Sequence, residues 1–120
     1  IISKEPLGPL VRHGDHQWGD VVRWSLNAMI IAEELGVSSE NVDASKSSNV
    51  PEVLRLLGVE GSYGEMLELA PDWAYQIIKQ IGNYSESYEA NVGPDTPLEI
   101  ARGLNALWTQ GGILYAPPFR

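Results

Sequence analysis

Positions at helical spacing dominate the first third of the chain. Trp18, Val21, Val22, Ser25, Ala28, Met29, Ala32 and Leu35 fall at steps of three and four. Trp24, Leu26, Ile30 and Ile31 widen that stripe beyond the one face a surface helix needs. The pattern predicts a long helix covered on more than one side, with Asp15 as its N-cap and Gly36 as the glycine just past its end. Residues 37 to 50 are serine-rich and leave room for one short helix, near Glu40 to Ser45. Pro51 fits the first position of a helix over Glu52 to Leu57, stopped by Gly58. After a turn at Gly61, Tyr63 and Gly64, a short helical piece is expected over Glu65 to Leu69. Pro71 and Asp72 open the next helix, with Trp73, Ala74, Ile77, Ile78 and Ile81 on its inner face and Gly82 closing it. Tyr84, Tyr88 and Val92 mark a further helical turn that ends at Gly93-Pro94. The pattern also predicts a last helix, capped by Thr96 with Pro97 at its first position. Its inner face would be Leu98, Ala101, Leu104, Leu107 and Trp108, and Gly111-Gly112 would end it.

The ends read differently. Pro6 and Pro9 around Gly8 deny residues 1–12 a continuous ladder, leaving an interrupted edge strand or an extended crossing segment. Residues 113–120 form an extended apolar tail. The expected layout is therefore a hinge-like segment over 1–12, a helical region over 15–112 and the tail over 113–120, mainly α in class.

Charge narrows the range of functions. The 120 residues carry sixteen Asp and Glu against eight Lys and Arg, a net charge of -8, which repels phosphate backbones and anionic lipid. A general nucleic-acid or membrane-surface role is not expected on that ground. The absence of cysteine removes disulfides, thiolate metal sites and thiol catalysis together. No apolar run approaches the ~18 residues of a membrane span, so membrane insertion is not expected. The chain opens Ile1-Ile2-Ser3-Lys4, without Met or the charged and apolar blocks of a signal peptide, which points to a piece of a longer polypeptide.

Candidate chemistry is sparse. His13-Gly14-Asp15-His16 contains half of a metal-hydrolase motif, but Val11 stands where a further His would be needed and the chain has only two His. Asp15 is more simply a cap and His13 a loop residue, so no metal site and no catalytic residue are assigned. No serine lies in a Gly-x-Ser-x-Gly elbow. Glu33 with Glu34, and Glu86 with Glu89, read as solvated charge on helices. Gly58, Gly61 and Gly64 read as turn punctuation. Trp18, Trp73 and Trp108 each lie on an apolar stripe and are expected in the core.

Longer strings are more specific than these motifs. Ile2-Ser3-Lys4-Glu5-Pro6-Leu7-Gly8-Pro9 and Val11-Arg12-His13-Gly14-Asp15-His16-Gln17-Trp18 open the series. Ala32-Glu33-Glu34-Leu35-Gly36, Leu56-Leu57-Gly58-Val59-Glu60-Gly61, Asp72-Trp73-Ala74-Tyr75 and Ile78-Lys79-Gln80-Ile81-Gly82-Asn83-Tyr84 follow in order. Asn91-Val92-Gly93-Pro94, Arg102-Gly103-Leu104-Asn105-Ala106-Leu107-Trp108 and Tyr115-Ala116-Pro117-Pro118 complete it. Together they resemble the general L-amino-acid-binding proteins, the extracytoplasmic receptors of polar amino-acid ABC importers. Departures are His16, where relatives often have Asp, Gly19 in place of an aromatic residue, and Ser85 to Ser87.

The resemblance implies the C-terminal part of a two-lobed α/β periplasmic-binding-protein fold of type II, starting near the strand that returns to the first lobe. It implies a periplasmic location, no enzymatic activity and no cofactor. The partners it implies are an L-amino acid held only by the complete receptor, the importer's permease subunits and the missing lobes of the parent chain. No ligand-binding residue can be carried over. Two other readings stand beside it: a free-standing helical module that folds by self-association, and a small metal-assisted hydrolase using His13, Asp15 and His16. Stripping the long helix of its cover should leave an isolated copy pairing with itself through Trp24, Leu26, Ile30 and Ile31.

Overall fold

The computed structural model describes residues 7–119. Ile1 to Pro6 and Arg120 lie outside the described residues, and with them the first half of the expected hinge-like segment. Leu7 to Arg12 has neither helix nor strand. Six α-helices follow: α1 (His16–Glu34), α2 (Val42–Ser45), α3 (Pro51–Leu56), α4 (Tyr63–Met66), α5 (Trp73–Ile81) and α6 (Tyr84–Asn91).

Local capping explains most of these bounds. The Asp15 carboxylate accepts the Trp18 N–H at 3.1 Å, satisfying one of the donors that a helix start leaves unpaired. At the other end of α1, Gly36 turns left-handed (φ 68°). The Val37 N–H then reaches Ala32 O at 2.8 Å and the Gly36 N–H reaches Glu33 O at 3.1 Å, a Schellman closure. The same closure ends α3. Val59 donates to Leu54 O at 3.0 Å and Gly58 to Arg55 O at 3.3 Å. A Cβ on Gly58 would lie 2.0 Å from the Pro71 carbonyl oxygen, so glycine lets the end of α3 touch the start of α5. A third such closure ends α4, with Glu68 in the left-handed position at φ 57°.

α1 is the central strut, packed against α5, α6 and α3. Ala28, Ile30, Ile31 and Ala32 from α1 meet Val53 and Leu56 from α3 and Trp73, Ala74 and Ile78 from α5 in a single buried cluster. Phe119 closes this core from the C-terminal tail, stacked on Trp24 at 5.4 Å and edge-on to Trp73 at 6.1 Å.

Four sequence expectations are corrected here. No helix forms over Thr96 to Trp108; the region is irregular, with short 3-10 turns at Gly103–Asn105 and Trp108–Gln110 and one parallel bridge between Leu107 and Leu114. Its backbone bonds run to distant partners instead of up a helix: Ile100 N–H to Val92 O, Ile113 N–H to Leu104 O and Leu114 N–H to Ala106 O. The Thr96 hydroxyl donates to Gly93 O as part of a turn. Leu98 and Leu104 are consequently exposed, and of the predicted inner face Leu107 alone is fully buried. Trp18 and Trp108 are also half out in solvent, while Trp73 is core. Finally, Ile30 and Ile31 are buried within this chain, so neither is available for the expected self-association contact. The two short helices are also trimmed or shifted, α2 starting at Val42 and α4 starting at Tyr63.

Candidate functional site

Three places on the fold carry polar or aromatic groups in defined geometry. The first is the loop entering α1. Arg12, His13, Asp15, His16, Asp20 and Arg23 line an open depression of about 470 Å³. One oxygen of Asp15 is committed to the Trp18 N–H. Among the described residues no three His, Asp or Glu side chains converge to hold a metal ion. His13, Asp15 and His16 are thus neighbours without forming a ligand set.

The second place is the C-terminal end of α1. The Arg102 guanidinium donates through Nη2 to both Glu33 oxygens, at 3.0 and 3.2 Å, and through Nε to Asn105 O at 2.7 Å. Its carbon lies 5.3 Å from the Tyr84 ring centre and 5.4 Å from that of Tyr88. The two charged side chains are 16% and 10% exposed. Burial pushes the Tyr84 phenol up, with Arg102 opposing it. A neighbouring knot ties the loop after α1 to α6. Glu86 accepts the Ser39 hydroxyl at 2.5 Å and the Ser39 and Asn83 N–H groups at 3.1 and 2.7 Å, while Asn83 donates to Val37 O. Burial alone would raise the Glu86 carboxyl. The hydrogen bonds from Ser39 and the Asn83 backbone outweigh it and hold the group below its ordinary value.

The third place is an aromatic groove divided by Phe119. On one side Trp24, Tyr63 and Met66 line a cavity of about 160 Å³. On the other, Ile31, Leu35, Trp108 and Tyr115 line one of about 190 Å³, with Glu34 and Glu52 at its margin.

No protein-family model matches the chain. It is 55% identical over 121 residues to BztA of Rhodobacter capsulatus, a glutamate/glutamine/aspartate/asparagine-binding protein. It is 56% identical over 122 residues to AapJ of Rhizobium johnstonii, a general L-amino acid-binding periplasmic protein. Each match covers 100% of this chain and 36% of the relative, so the chain spans just over a third of the length of the curated relatives it matches. A periplasmic binding protein of an ABC transporter from Brucella ovis, solved with glutathione bound, aligns with a TM-score of 0.94 at 52% identity. That match covers 100% of this chain and 38% of the solved one. Along its whole length the chain is similar to the C-terminal portion of amino-acid ABC-transporter binding proteins.

This correspondence bears out both the resemblance read from the strings above and the fold class. The relatives are binding proteins, and no helix among the described residues is long and apolar enough to cross a membrane. The sequence misjudged Glu33 and Glu86 as solvated: one is locked in a largely buried ion pair, the other in a capping box. Arg102 lies 69 residues from Glu33, and Trp108 lies 74 from Glu34, so no local spacing could announce either contact. Glu86 could have been found, since Asn83 and Glu86 are spaced as a capping box.

Proposed function

We propose that the chain works as the C-terminal portion of a periplasmic receptor that binds L-amino acids and delivers them to an ABC importer, without enzymatic activity. One observation carries this reading: 52% identity and a TM-score of 0.94 along the entire chain to a periplasmic binding protein solved with glutathione bound. The ligand class follows from chemistry. Glutamate, glutamine, aspartate and asparagine share a free α-amino-acid group on a short polar side chain, and the γ-glutamyl end of glutathione carries the same group. The proposed ligand is therefore a free L-α-amino-acid end with a polar extension.

The exposed segment that begins at Leu7 fits a portion that docks on a larger body. Leu7 and Leu10 are 94% and 97% exposed, and Val11 and Trp18 are open as well. Exposed apolar patches mark contact surfaces, and the remainder of the receptor chain is the partner proposed for this one. The permease subunits complete the list of partners. A zwitterion needs donors and acceptors converging in a closed cleft, and that cleft is proposed to need the rest of the receptor.

Calorimetry with L-glutamate, L-glutamine and glutathione tests the reading. The 120-residue chain alone should give no heat of saturable binding. A polypeptide extended at its N-terminus to the full length of the relatives should bind at least one of the three. Micromolar binding by the chain alone would contradict the proposal, and so would failure of the extended polypeptide to bind any amino acid.

A further inference from the structure

Two adjacent carboxylates at the end of α1 stand in similar company. Glu33 has two tyrosine rings near it and a guanidinium, that of Arg102, already seated between carboxylate and rings. Glu34 has a tryptophan and a tyrosine. Its Oε1 accepts the Trp108 indole N–H at 3.3 Å, and the Trp108 and Tyr115 rings meet at 68° with centres 6.0 Å apart. Where the first constellation holds Arg102, the second borders the 190 Å³ cavity floored by Ile31 and Leu35, with Glu52 on its margin.

We propose that this cavity binds an organic cation on a short apolar stem, an alkylguanidinium or alkylammonium group. Trp108 and Tyr115 both line the cavity, and an aromatic ring face attracts positive charge through its quadrupole. Donation from the indole N–H to a carboxylate makes the Trp108 face more electron-rich, as chained hydrogen bonds polarise one another. Ile31 and Leu35 supply the apolar floor that an uncharged stem needs and a hydrated inorganic ion does not. A net charge of -8 draws cations toward the surface generally. The cavity would hold on the order of six waters by liquid volume, room for one such head group and not for a folded segment. The proposal is argued from Glu34, Trp108 and Tyr115 and does not rest on the amino-acid reading above, so its success or failure leaves that reading untouched.

The test is a nitrogen–proton correlation spectrum of the chain titrated with N-propylguanidinium and, separately, with N-propylurea, its uncharged counterpart. N-acetylarginine amide distinguishes a peptide-borne guanidinium from a free one. The indole N–H resonance of Trp108 should move saturably with both guanidinium compounds and stay in place with the urea. Glu34→Gln keeps an oxygen to accept from Trp108, so the fold is preserved; it should weaken binding about tenfold, as should Trp108→Leu, where binding is read from the backbone amides of the cavity-lining Leu35 and Tyr115. Arg120→Ala is titrated in parallel, because residue 120 follows the cavity-lining Phe119 in sequence and carries the same charge. Equal response to the urea, an unchanged affinity in Glu34→Gln, or no movement of Trp108 in either the parent chain or Arg120→Ala would overturn the proposal.

Discussion

The two halves of α1 have the same kind of sequence and different surroundings. From Ala28 to Ala32 the helix is enclosed by α3 and α5, with four of its five residues buried. From His16 to Leu26 every residue is at least partly open, Trp18 among them. The difference is not one of composition, since Val21, Val22 and Leu26 are as apolar as Ile30 and Ile31. It is one of cover. The closed half needs only this chain, while the open half and the segment from Leu7 to Arg12 present apolar surface in keeping with a partner supplied by the rest of a receptor.

Substitutions that treat the halves alike should therefore give unlike results. Ile31→Ala removes a side chain buried against several elements and should lower unfolding free energy by about 2–5 kcal/mol in urea denaturation. Trp18→Ala should cost less than about 0.5 kcal/mol in the 120-residue chain, as exposed positions do, and substantially more in a full-length receptor. Equal losses in the short chain would break the comparison.

The next effect concerns what holds the closed half shut. Arg102→Met keeps the stem of the side chain but strands Glu33 at 10% exposure, and should destabilise by about 2–3 kcal/mol. Hydrogen exchange should show the loss concentrated in α6 and the turns after Gly93, which Arg102 ties to α1.

Acid should loosen the same half. Glu86 is held below its ordinary value near 4.5, so its contribution is fully present above that value and disappears as pH falls through the folded one. Ser39→Ala removes the hydroxyl donor. It should cost about 1 kcal/mol at neutral pH and flatten the acid side of the stability profile. An unchanged acid limb would mean the Ser39–Glu86 contact is not formed in solution.

The smallest effect is a gain. Glu68 occupies a left-handed position that glycine fills at the ends of α1 and α3, so Glu68→Gly should stabilise by up to about 1 kcal/mol in the same denaturation series. A loss would show that the Glu68 side chain contributes more than its backbone strain costs.

What the sequence disclosed and what it hid divide along a similar line. Asp15, Gly36, Pro51 and Gly58 act within four or five residues of themselves, so the ends of α1 and α3 could be read from spacing. The region after Thr96 has equally good helical periodicity, but its backbone is claimed by Val92 and by its own returning segment at Ile113 and Leu114, and Arg102 is drawn off to Glu33. Nothing within a helical window signals those competitors. Cover was equally invisible: periodicity marked Trp18, Trp73 and Trp108 alike, yet only Trp73 has both α4 and the C-terminal tail laid over it. The ordered strings, by contrast, disclosed the family, because they span the chain regardless of which elements they form.

Amide hydrogen exchange along α1 tests the difference between its halves most directly, measured in the 120-residue chain and in a polypeptide extended to the relatives' full length. Ala28 to Leu35 should be protected to a similar degree in both, and His16 to Leu26 should gain protection only in the extended one. Equal protection of the first half in the short chain would contradict the account, because it would mean that the helix needs no cover beyond what this chain provides.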